Sequence, residues 1–532
     1  MQRIVIIGQG YQAFKAAGLA ARLKPEAEVL WIADRKLPEY PDFLLGLLLR
    51  SGLSPDKWSR ARAGLKVDFE NMAKERSLTL QKVSKIRINT KQGEISFLSE
   101  RGPVSYSFDQ IICMAPTKTQ RPPQSRDADY IWPDPSTLSL LTREWNTLVN
   151  PLVIGPDPAL VQLFACSGRK CTWLPQGNFL DAQLQYFVVQ RLETQGIQVL
   201  SRGSQEEPGL EKILASGDFT HVLRWGQKAM DVEQLKIWGL EPGLMIDEPY
   251  ALRWDNVFVL CPPSSQHQGQ LANDPESALE GTLKAVRAVL TGSSYCPARL
   301  RTGLWNLGDF TVARVEKLNP DAGSAELIPA AMHGFHSQDP QRPYALCLWA
   351  DPESRQVERF ECAGVHAADL AARAASFMAC RACVLEMHQG GGLWPEHEIN
   401  PFVRCAGILE KKMEKTILGI TPDELQQSRE NQADFFLLDV RSRPEFEACR
   451  LPGACNIPLK ELKKRVMEIP RFTPIVIYSQ CSGRAYSAAA LLRGMGARQL
   501  YVLDGGIGLY TLSKDDSLAD AAASQPEVCS SG

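Results

Sequence analysis

The chain has 532 residues, of which 44% are hydrophobic and 23% charged, and its 59 basic and 61 acidic side chains give a net charge of −2. At about 150 residues per domain this length predicts three to four domains, and the ordinary composition excludes disorder, collagen and coiled coil as the main architecture. A near-zero net charge provides no global field that would recruit nucleic acid. The fourteen cysteines are too few and too irregularly spaced for a disulfide scaffold, so we expect free thiols in a reducing cytosol.

The sequence predicts neither an export signal nor a membrane span. Met1 is followed directly by an apolar strand, without a charged leader, a longer apolar segment or a small-residue cleavage site. The longest apolar runs, such as Phe43–Leu49, are far shorter than the roughly 18 residues that a membrane span needs. We therefore expect a soluble, cytoplasmic protein with no membrane partner and no nucleic-acid partner.

Strands and helices alternate along the chain, which predicts α/β domains with parallel sheets. Apolar runs predict strands at Ile4–Ile7, Glu28–Ile32, Gln110–Met114, Leu152–Ile154, Lys170–Leu174, Asn256–Leu260, Phe435–Val440 and Pro474–Tyr478. Helical periodicity predicts helices at Gln12–Leu23, Ala182–Thr194, His366–Met387 and Ala485–Met495. Breaks at Thr117–Asp127 and near Leu290–Arg299 predict domain connections. No internal repeat is apparent in the sequence.

A G-x-G-x-x-A motif formed by Gly8, Gly10 and Ala13 follows the first strand and opens the first helix. The first glycine permits a tight turn, the second lets the backbone approach a pyrophosphate, and the small third residue lets helix and strand pack closely. Asp34 closes the next strand, where an acid binds a ribose hydroxyl. The motif predicts a dinucleotide site, and the alternative is an ordinary β-α-β turn that binds nothing.

The C-terminal segment contains a cysteine whose position suggests a mechanism. Cys481 follows an apolar strand and precedes a helix rich in alanine and leucine, so loop amides and the helix N-terminus favour its thiolate. Arg484 adds positive charge, and we predict a catalytic loop of Cys481, Ser482, Gly483 and Arg484. Such a thiolate can attack a sulfur donor, hold the sulfur as a persulfide and pass it to an acceptor. The alternative is a buried cysteine in an inactive domain.

This C-terminal segment resembles the rhodanese-like sulfurtransferases. The matching motifs are Leu438–Arg441, Glu445–Phe446, Leu451–Ala454 and Asp504–Ile507, which flank the Cys481 loop. Tyr486 stands where that family commonly has an arginine, so the resemblance does not imply thiosulfate as the donor. A phosphatase would need an arginine at Ser487, which disfavours phosphatase activity.

Residues 1–415 resemble the flavoprotein pyridine nucleotide-disulfide oxidoreductases, in the coenzyme A disulfide reductase and NADH oxidase branch that carries a C-terminal rhodanese domain. The resemblance rests on Gly8–Arg35, Asp109–Ala115 and Asn400–Gly407. It implies a homodimer, and it implies FAD bound through the first motif and Asp34.

Three departures from that family stand out. Phe43 lies where the family has its redox cysteine, and phenylalanine cannot form a thiolate. The turn Gly155–Leu160 contains two prolines and Asp157 where the family has glycines, which places a carboxylate at the pyrophosphate position. Cys261-Pro262 replaces the family's Gly-Asp. We therefore do not expect ordinary NAD(P)H binding.

The predicted fold class is α/β, with two Rossmann-like dinucleotide-binding domains, an α+β dimerisation domain and a C-terminal α/β rhodanese domain. The expected boundaries are 1–120 with 244–292 for the FAD-binding-like domain, 121–243 for the degenerate NAD(P)-binding-like domain, 298–415 for the dimerisation-like domain, 418–514 for the rhodanese domain and 515–532 for a disordered tail.

Other cysteine and histidine pairs are weaker candidates. Cys380 and Cys383 form a C-x-x-C pattern that, on one long helix, places both side chains on one face. With His388 they supply three zinc ligands but no fourth, so packed core thiols are the preferred interpretation and no metal is predicted. His333 and His336 form a weak H-x-x-H pattern in a loop. Cys529 is either a resolving thiol or incidental.

Two functional hypotheses follow from these features. The first is a sulfur-handling protein in which Cys481 carries persulfide sulfur between a small-molecule or protein donor and an acceptor, fused to a reductase-like module without the usual redox cysteine. The second is a catalytically inactive reductase-like scaffold or nucleotide-binding platform for a partner.

Overall fold

The computed structural model of the chain describes residues 1–34, 55–58, 66–114, 116–120, 129–132, 135–176, 180–200, 213, 219, 221–225, 227–240, 245–248, 251–260, 275–292, 300–317, 327–335, 343–364, 366–390, 400–470 and 472–514. Phe43, Cys261, His336 and Cys529 lie outside the described residues. The chain divides into two compact units, Met1–Gly177 with Gly196–Cys296 and Asn178–Gln195 with Pro297–Gly532.

In chain order the strands are β1 Arg3–Ile7, β2 Glu28–Asp34, β3 Thr79–Asn89, β4 Glu94–Ser99, β5 Gly102–Ser107, β6 Gln110–Met114, β7 Thr117–Gln120, β8 Tyr130–Trp132, β9 Leu152–Ile154, β10 Cys171–Leu174, β11 Ile197–Val199, β12 Val222–Trp225, β13 Gln227–Met230, β14 Met245–Glu248, β15 Ala251–Trp254, β16 Val257–Leu260, β17 Leu300–Leu307, β18 Phe310–Lys317, β19 Ile328–Phe335, β20 Pro343–Ala350, β21 Val357–Gly364, β22 Leu418–Ile420, β23 Phe436–Asp439, β24 Cys455–Asn456, β25 Ile475–Tyr478 and β26 Leu500–Leu503.

The α-helices are α1 Gly10–Leu23, α2 Phe69–Glu75, α3 Pro135–Glu144, α4 Ala159–Cys166, α5 Ala182–Thr194, α6 Val232–Ile237, α7 Pro275–Thr291, α8 Ala367–Ala379, α9 Val384–Gln389, α10 Pro401–Met413, α11 Pro422–Glu430, α12 Arg443–Ala448, α13 Ser482–Gly494 and α14 Gly506–Lys514. Short 3-10 turns lie at Pro55–Lys57, Trp145–Thr147 and Val466–Glu468. Among the described helices, none is both long enough and apolar enough to cross a membrane.

A nine-stranded sheet forms the centre of the first unit, in the order β14-β15-β16-β6-β1-β2-β3-β4-β5. Its middle strands β16, β6, β1, β2 and β3 are parallel, and antiparallel pairs extend both edges. The parallel strands are continuous apolar runs because helices or loops cover both faces of such a sheet. Against one face, α1 and α7 pack through Ala13, Ala17, Val286 and Leu290.

A five-stranded parallel sheet, in the order β11-β10-β9-β12-β8, follows in the same unit. It repeats a detail of the first sheet that inspection of the sequence did not detect. The indole N–H of Trp31 donates to the Gly8 carbonyl at 3.0 Å, and that of Trp173 donates to the Gly155 carbonyl at 3.1 Å. Both nucleotide-type turns are thus held by a buried tryptophan on the following strand.

The second unit combines an antiparallel sheet, β17-β18-β21-β20-β19, with a parallel sheet, β22-β26-β25-β23-β24. One apolar cluster runs through both, from Leu348 and Phe360 through Phe402 on α10 to Ile477 and Val502. The predicted α/β fold class, with parallel Rossmann-like sheets and a C-terminal α/β domain, is confirmed.

The predicted strands and helices match the structure closely, with three differences. The segment His366–Met387 is two helices, because the chain leaves α8 after Ala379, passes through Arg381 in the left-handed conformation (φ 55°) and re-enters a helix at Val384. The break at Thr117–Asp127 begins with a strand, β7, which pairs with β13. His333 lies buried within β19 rather than in a loop.

Candidate active site

The Cys481 loop connects the central strand of the C-terminal sheet to a long helix. β25 is fully buried and ends at Tyr478, and α13 begins at Ser482. Cys481 is the N-cap residue of α13, with extended backbone angles (φ −120°, ψ 157°), and its side chain is half-buried. The thiol therefore lies at a helix N-terminus, as the sequence predicted, and the helix dipole there favours the thiolate.

A backbone N–H on the first turn of α13 is bonded to Ser479. Ser479 directly follows β25 and is fully buried, and its Oγ accepts a hydrogen bond from the N–H of Ala485 at 3.2 Å. The same hydroxyl donates to the carbonyl oxygen of Cys481. Ser479 was not among the predicted site residues, although its place immediately after an apolar strand was a usable signal.

The segment that follows β26 fixes the other side of the loop. Ile507 N–H donates to the Ser479 carbonyl at 2.9 Å, and Gly508 N–H donates to the Gln480 carbonyl at 3.2 Å. Gly506 has a left-handed backbone (φ 69°), and a Cβ there would lie 2.5 Å from the Ser479 oxygen. Glycine is therefore required at this position, which explains the Asp504–Ile507 motif physically.

Arg484, on the first turn of α13, is bound by Glu445 of α12. Its two terminal nitrogens lie 2.9 and 2.5 Å from the two carboxylate oxygens of Glu445. Ser442 also donates to Glu445 through its N–H at 2.9 Å and its hydroxyl at 2.6 Å. Although burial opposes the charge, these hydrogen bonds lower the pKa of Glu445 to about 2. The positive charge of Arg484, which the sequence predicted would act on the Cys481 thiolate, is paired with the Glu445 carboxylate.

Arg441 links the Cys481 loop to strand β23 and to the end of α12. Its guanidinium is buried and lies 2.8 Å from Asp439 Oδ2. One terminal nitrogen donates to Gln480 Oε1 at 3.2 Å, and the other donates to the Cys449 carbonyl at 2.5 Å. The Asp-Val-Arg motif thus holds the residue before Cys481 and the end of α12 together.

Helix α10 contributes a buried cation to the same region. Lys412 Nζ lies 2.6 Å from Asp504 Oδ2, and both side chains are largely buried. Burial raises the pKa of Asp504, against the opposing effect of Lys412. Ser482 accepts the N–H of Gly505 at 2.8 Å and donates to the Ala331 carbonyl of β19 at 3.3 Å. These bonds tie the first residue of α13 to both sheets of the second unit.

The first nucleotide motif has the geometry that a pyrophosphate needs. A Cβ on Gly8 would lie 2.6 Å from Met114 Cγ, and Gly10 starts α1 with φ 72°. Ala13 is fully buried, and Gln9 at the N-cap makes no side-chain capping bond. Asp34 ends β2 as predicted. The residues present fit a dinucleotide at this helix N-terminus.

The second nucleotide-type turn is occupied by its own side chain. Asp157 is buried, and its Oδ1 accepts the N–H of Ala159, the first residue of α4, at 2.8 Å. A carboxylate at this point takes the amide that a phosphate would use and repels a second anion. The residues present do not fit a pyrophosphate here.

The prediction that the C-x-x-C cysteines are packed core thiols on one helix is wrong. Cys380 is the exposed C-cap residue of α8, and Cys383 is the half-buried N-cap residue of α9, whose capping box joins Cys383 to Glu386. Across the part of the chain that the structure describes, no group of three or more His, Cys, Asp or Glu side chains could hold a metal ion. The eleven described cysteines are all free thiols, as expected.

Comparisons with known proteins match the C-terminal domain, which contains the Cys481 loop, to the rhodanese-like family. The rhodanese-like domain family matches residues 421–512. A sulfurtransferase of Allochromatium vinosum is 32% identical over 88 residues, which are 16% of this chain and 82% of that protein. The uncharacterized protein YqhL of Bacillus subtilis is 46% identical over 70 residues, which are 13% of this chain and 56% of that protein, so the chain spans about half of its length.

Two solved structures match nearly the whole chain. The reduced Bacillus anthracis CoADR-RHD has a TM-score of 0.77 and 18% identity, with 96% of this chain and 98% of that chain covered. An NAD-dependent persulfide reductase from A. fulgidus has a TM-score of 0.72 and 16% identity, with coverage of 96% and 100%.

The fold and the loop define a rhodanese domain joined to a module with the pyridine nucleotide-disulfide oxidoreductase fold, as the two resemblances predicted. Through residues 421–512, the chain belongs to the rhodanese family, whose matched relatives include sulfurtransferases.

Proposed function

We propose that this protein is a sulfurtransferase in which Cys481 accepts sulfane sulfur and carries it as a persulfide. The observation that carries the proposal is the position of Cys481 at the N-cap of a 13-residue helix in a rhodanese domain. The helix N-terminus stabilises the thiolate, which is the nucleophilic form of cysteine. The exposed Gly483 leaves room for a donor, because a Cβ built on it would meet no described atom within 4 Å.

The transfer balances without an external oxidant. The Cys481 thiolate attacks the terminal sulfur of a persulfide R–S–SH, a new S–S bond forms at Cys481, and the donor's S–S bond breaks to release R–S⁻. An acceptor thiolate then attacks the outer sulfur of the Cys481 persulfide and regenerates the Cys481 thiolate. Ser479 and Ser482 hold the loop backbone during both steps.

Intact mass measurement tests this proposal directly. The purified full chain is incubated with cysteamine persulfide, polysulfide or thiosulfate, desalted and weighed before and after addition of dithiothreitol. We expect one sulfur atom, removed by the reductant, in the native chain and in Cys455→Ser, a matched half-buried thiol of the same domain. Its persistence in Cys481→Ser would show that another residue carries the sulfur, and its absence in every chain would exclude the activity.

We also propose that the N-terminal module binds FAD through Gly8, Gly10, Ala13 and Asp34. The uncapped start of α1 and the close approach of Gly8 to Met114 support this ligand. Bound FAD would supply two-electron redox chemistry. A visible spectrum of the purified chain tests the proposal: a stoichiometric flavin band that is lost in Gly10→Glu supports it, and a colourless native chain contradicts it.

The second turn supports a different proposal, namely that NAD(P)H does not reduce this module. Asp157 takes the amide of Ala159 and adds negative charge there. A module with this turn is suited to serve as a nucleotide-binding scaffold for the sulfur-carrying domain. Anaerobic titration with NADH and NADPH tests this proposal. Bleaching of a flavin band by either nucleotide would show that the module is reduced and would exclude its role as a scaffold. A homodimer and a cytoplasmic location remain part of our proposal.

A further inference from the structure

Among the described residues, three cations packed around the Cys481 loop are each paired with a carboxylate. The pairs and their shortest N–O distances are Arg484–Glu445 at 2.5 Å, Arg441–Asp439 at 2.8 Å and Lys412–Asp504 at 2.6 Å. Two of these pairs are buried, whereas the Arg484–Glu445 pair is partly exposed, with side-chain exposures of 35% and 20%. It is therefore the pair that an incoming donor can approach.

Glu445 is held as an anion beside the loop at physiological pH. Two bonds from Ser442 and two from Arg484 fix both carboxylate oxygens, and its pKa lies at about 2. The bidentate geometry keeps the guanidinium on the carboxylate rather than on a donor. At this loop, then, Arg484 brings almost no net positive charge.

Sulfur donors differ in their own negative charge, and therefore in how much positive charge the site must supply beside the Cys481 thiolate. Thiosulfate is a dianion that must approach a thiolate, and its S–S bond breaks to release sulfite, also a dianion. A persulfide with a balancing ammonium group has no net charge and releases a thiolate. Repulsion between the Cys481 thiolate and the donor is therefore largest for thiosulfate, unless a cation compensates for it.

We propose that Glu445 is a specificity-determining residue that selects donors of low charge over thiosulfate by neutralising Arg484. This inference rests on the proposed role of Cys481 as the sulfur-accepting thiol. It is independent of the other loop residues, because Glu445 belongs to α12 and contacts the loop through Arg484.

The test compares two donors in the same chain. Rates of sulfur addition to Cys481 are measured by intact mass with thiosulfate and with cysteamine persulfide, and their ratio is compared among variants. Glu445→Gln keeps the capping box of α12, since glutamine serves at that position, and leaves Arg484 charged. We expect it to raise the ratio of the thiosulfate rate to the persulfide rate about tenfold, the effect of one uncompensated charge at a partly exposed site.

Two further variants make the result decisive. Arg484→Gln leaves the Glu445 carboxylate without its cation, so it should lower the ratio of the thiosulfate rate to the persulfide rate. Glu447→Gln is the matched control, because Glu447 lies on the same helix and pairs with Arg443, and both side chains are well exposed; we expect no change. A ratio unchanged in Glu445→Gln, with sulfur still added to Cys481, overturns the inference alone. Failure of both donors in every chain overturns the proposed function instead.

Discussion

Lys412 Nζ lies 2.6 Å from Asp504 Oδ2, and the exposed fractions of the two side chains are only 9% and 1%. The lysine lies on α10, which packs on the antiparallel sheet, and the aspartate follows β26 of the rhodanese domain. Lys412 also donates to the Pro329 carbonyl of β19 at 2.7 Å. A single buried ion pair thus joins the two sheets of the second unit close to the Cys481 loop.

Removal of this lysine should destabilise the second unit strongly. Lys412→Met leaves the Asp504 carboxylate buried without its cation, which typically costs about 3–5 kcal/mol. Because burial raises the pKa of Asp504 in the folded state, the folded chain holds a proton that the unfolded chain releases, so stability falls as pH rises above the unfolded value. Urea unfolding followed by far-UV circular dichroism should show this loss growing as the pH rises above about 4, the pKa of an unfolded aspartate. Lys412→Met with Asp504→Asn should restore part of the stability, and equal losses in the single and double variants would contradict the pairing.

His333 should make the second unit sensitive to acid. Burial lowers its pKa to about 4, and its ring fills the space beside Gly508, where a Cβ would lie 2.6 Å from Nδ1. An unfolded histidine titrates near 6.5, so the unfolded state binds the proton first and stability falls as pH decreases from about 6.5 to 4, by about 3 kcal/mol in all. Thermal unfolding of His333→Gln should show a much weaker acid dependence over this range. An unchanged pH profile would assign the acid sensitivity to other groups.

The sequence predicted the elements better than the contacts between them. Buried parallel strands are short continuous apolar runs, so β1, β9 and β25 were recognisable within a residue or two. The break between α8 and α9 was missed because Arg381 adopts a left-handed conformation, and an arginine gives no signal for this in the sequence. Propensity patterns cannot detect such single-residue conformations.

Within the candidate site, the sequence located the loop but not its electrostatics. Glu445 and Arg484 are 39 residues apart and meet only because β23 and β25 are neighbours in the sheet. A motif shows that both residues are present, but not that they neutralise each other. The same limit applies to Lys412, whose partner Asp504 lies 92 residues further along the chain.

Asp157 should contribute to the stability of the first unit while blocking nucleotide binding. Its carboxylate accepts the N–H of Ala159 at the start of α4, a buried hydrogen bond to a charged group worth about 1.5–3 kcal/mol. Asp157→Ala is therefore expected to lower the free energy of unfolding by about that amount. Calorimetric titration should detect no NADH binding to the native chain. Tight NADH binding by the native chain would show that the carboxylate moves aside for the ligand.

Ser479 should hold the backbone of the Cys481 loop, and removal of its hydroxyl tests this. Its Oγ accepts the N–H of Ala485 at 3.2 Å and donates to the carbonyl oxygen of Cys481. We expect Ser479→Ala to slow sulfur addition from cysteamine persulfide to Cys481, measured by intact mass, because a buried N–H loses its acceptor and the loop loses a bond that holds it. Ser487→Ala is the control, because Ser487 lies one turn further into α13 and its hydroxyl donates to the Gly483 carbonyl on the exposed side of that helix. Equal rates in the native chain and in both variants would show that the Ser479 hydroxyl does not position the loop.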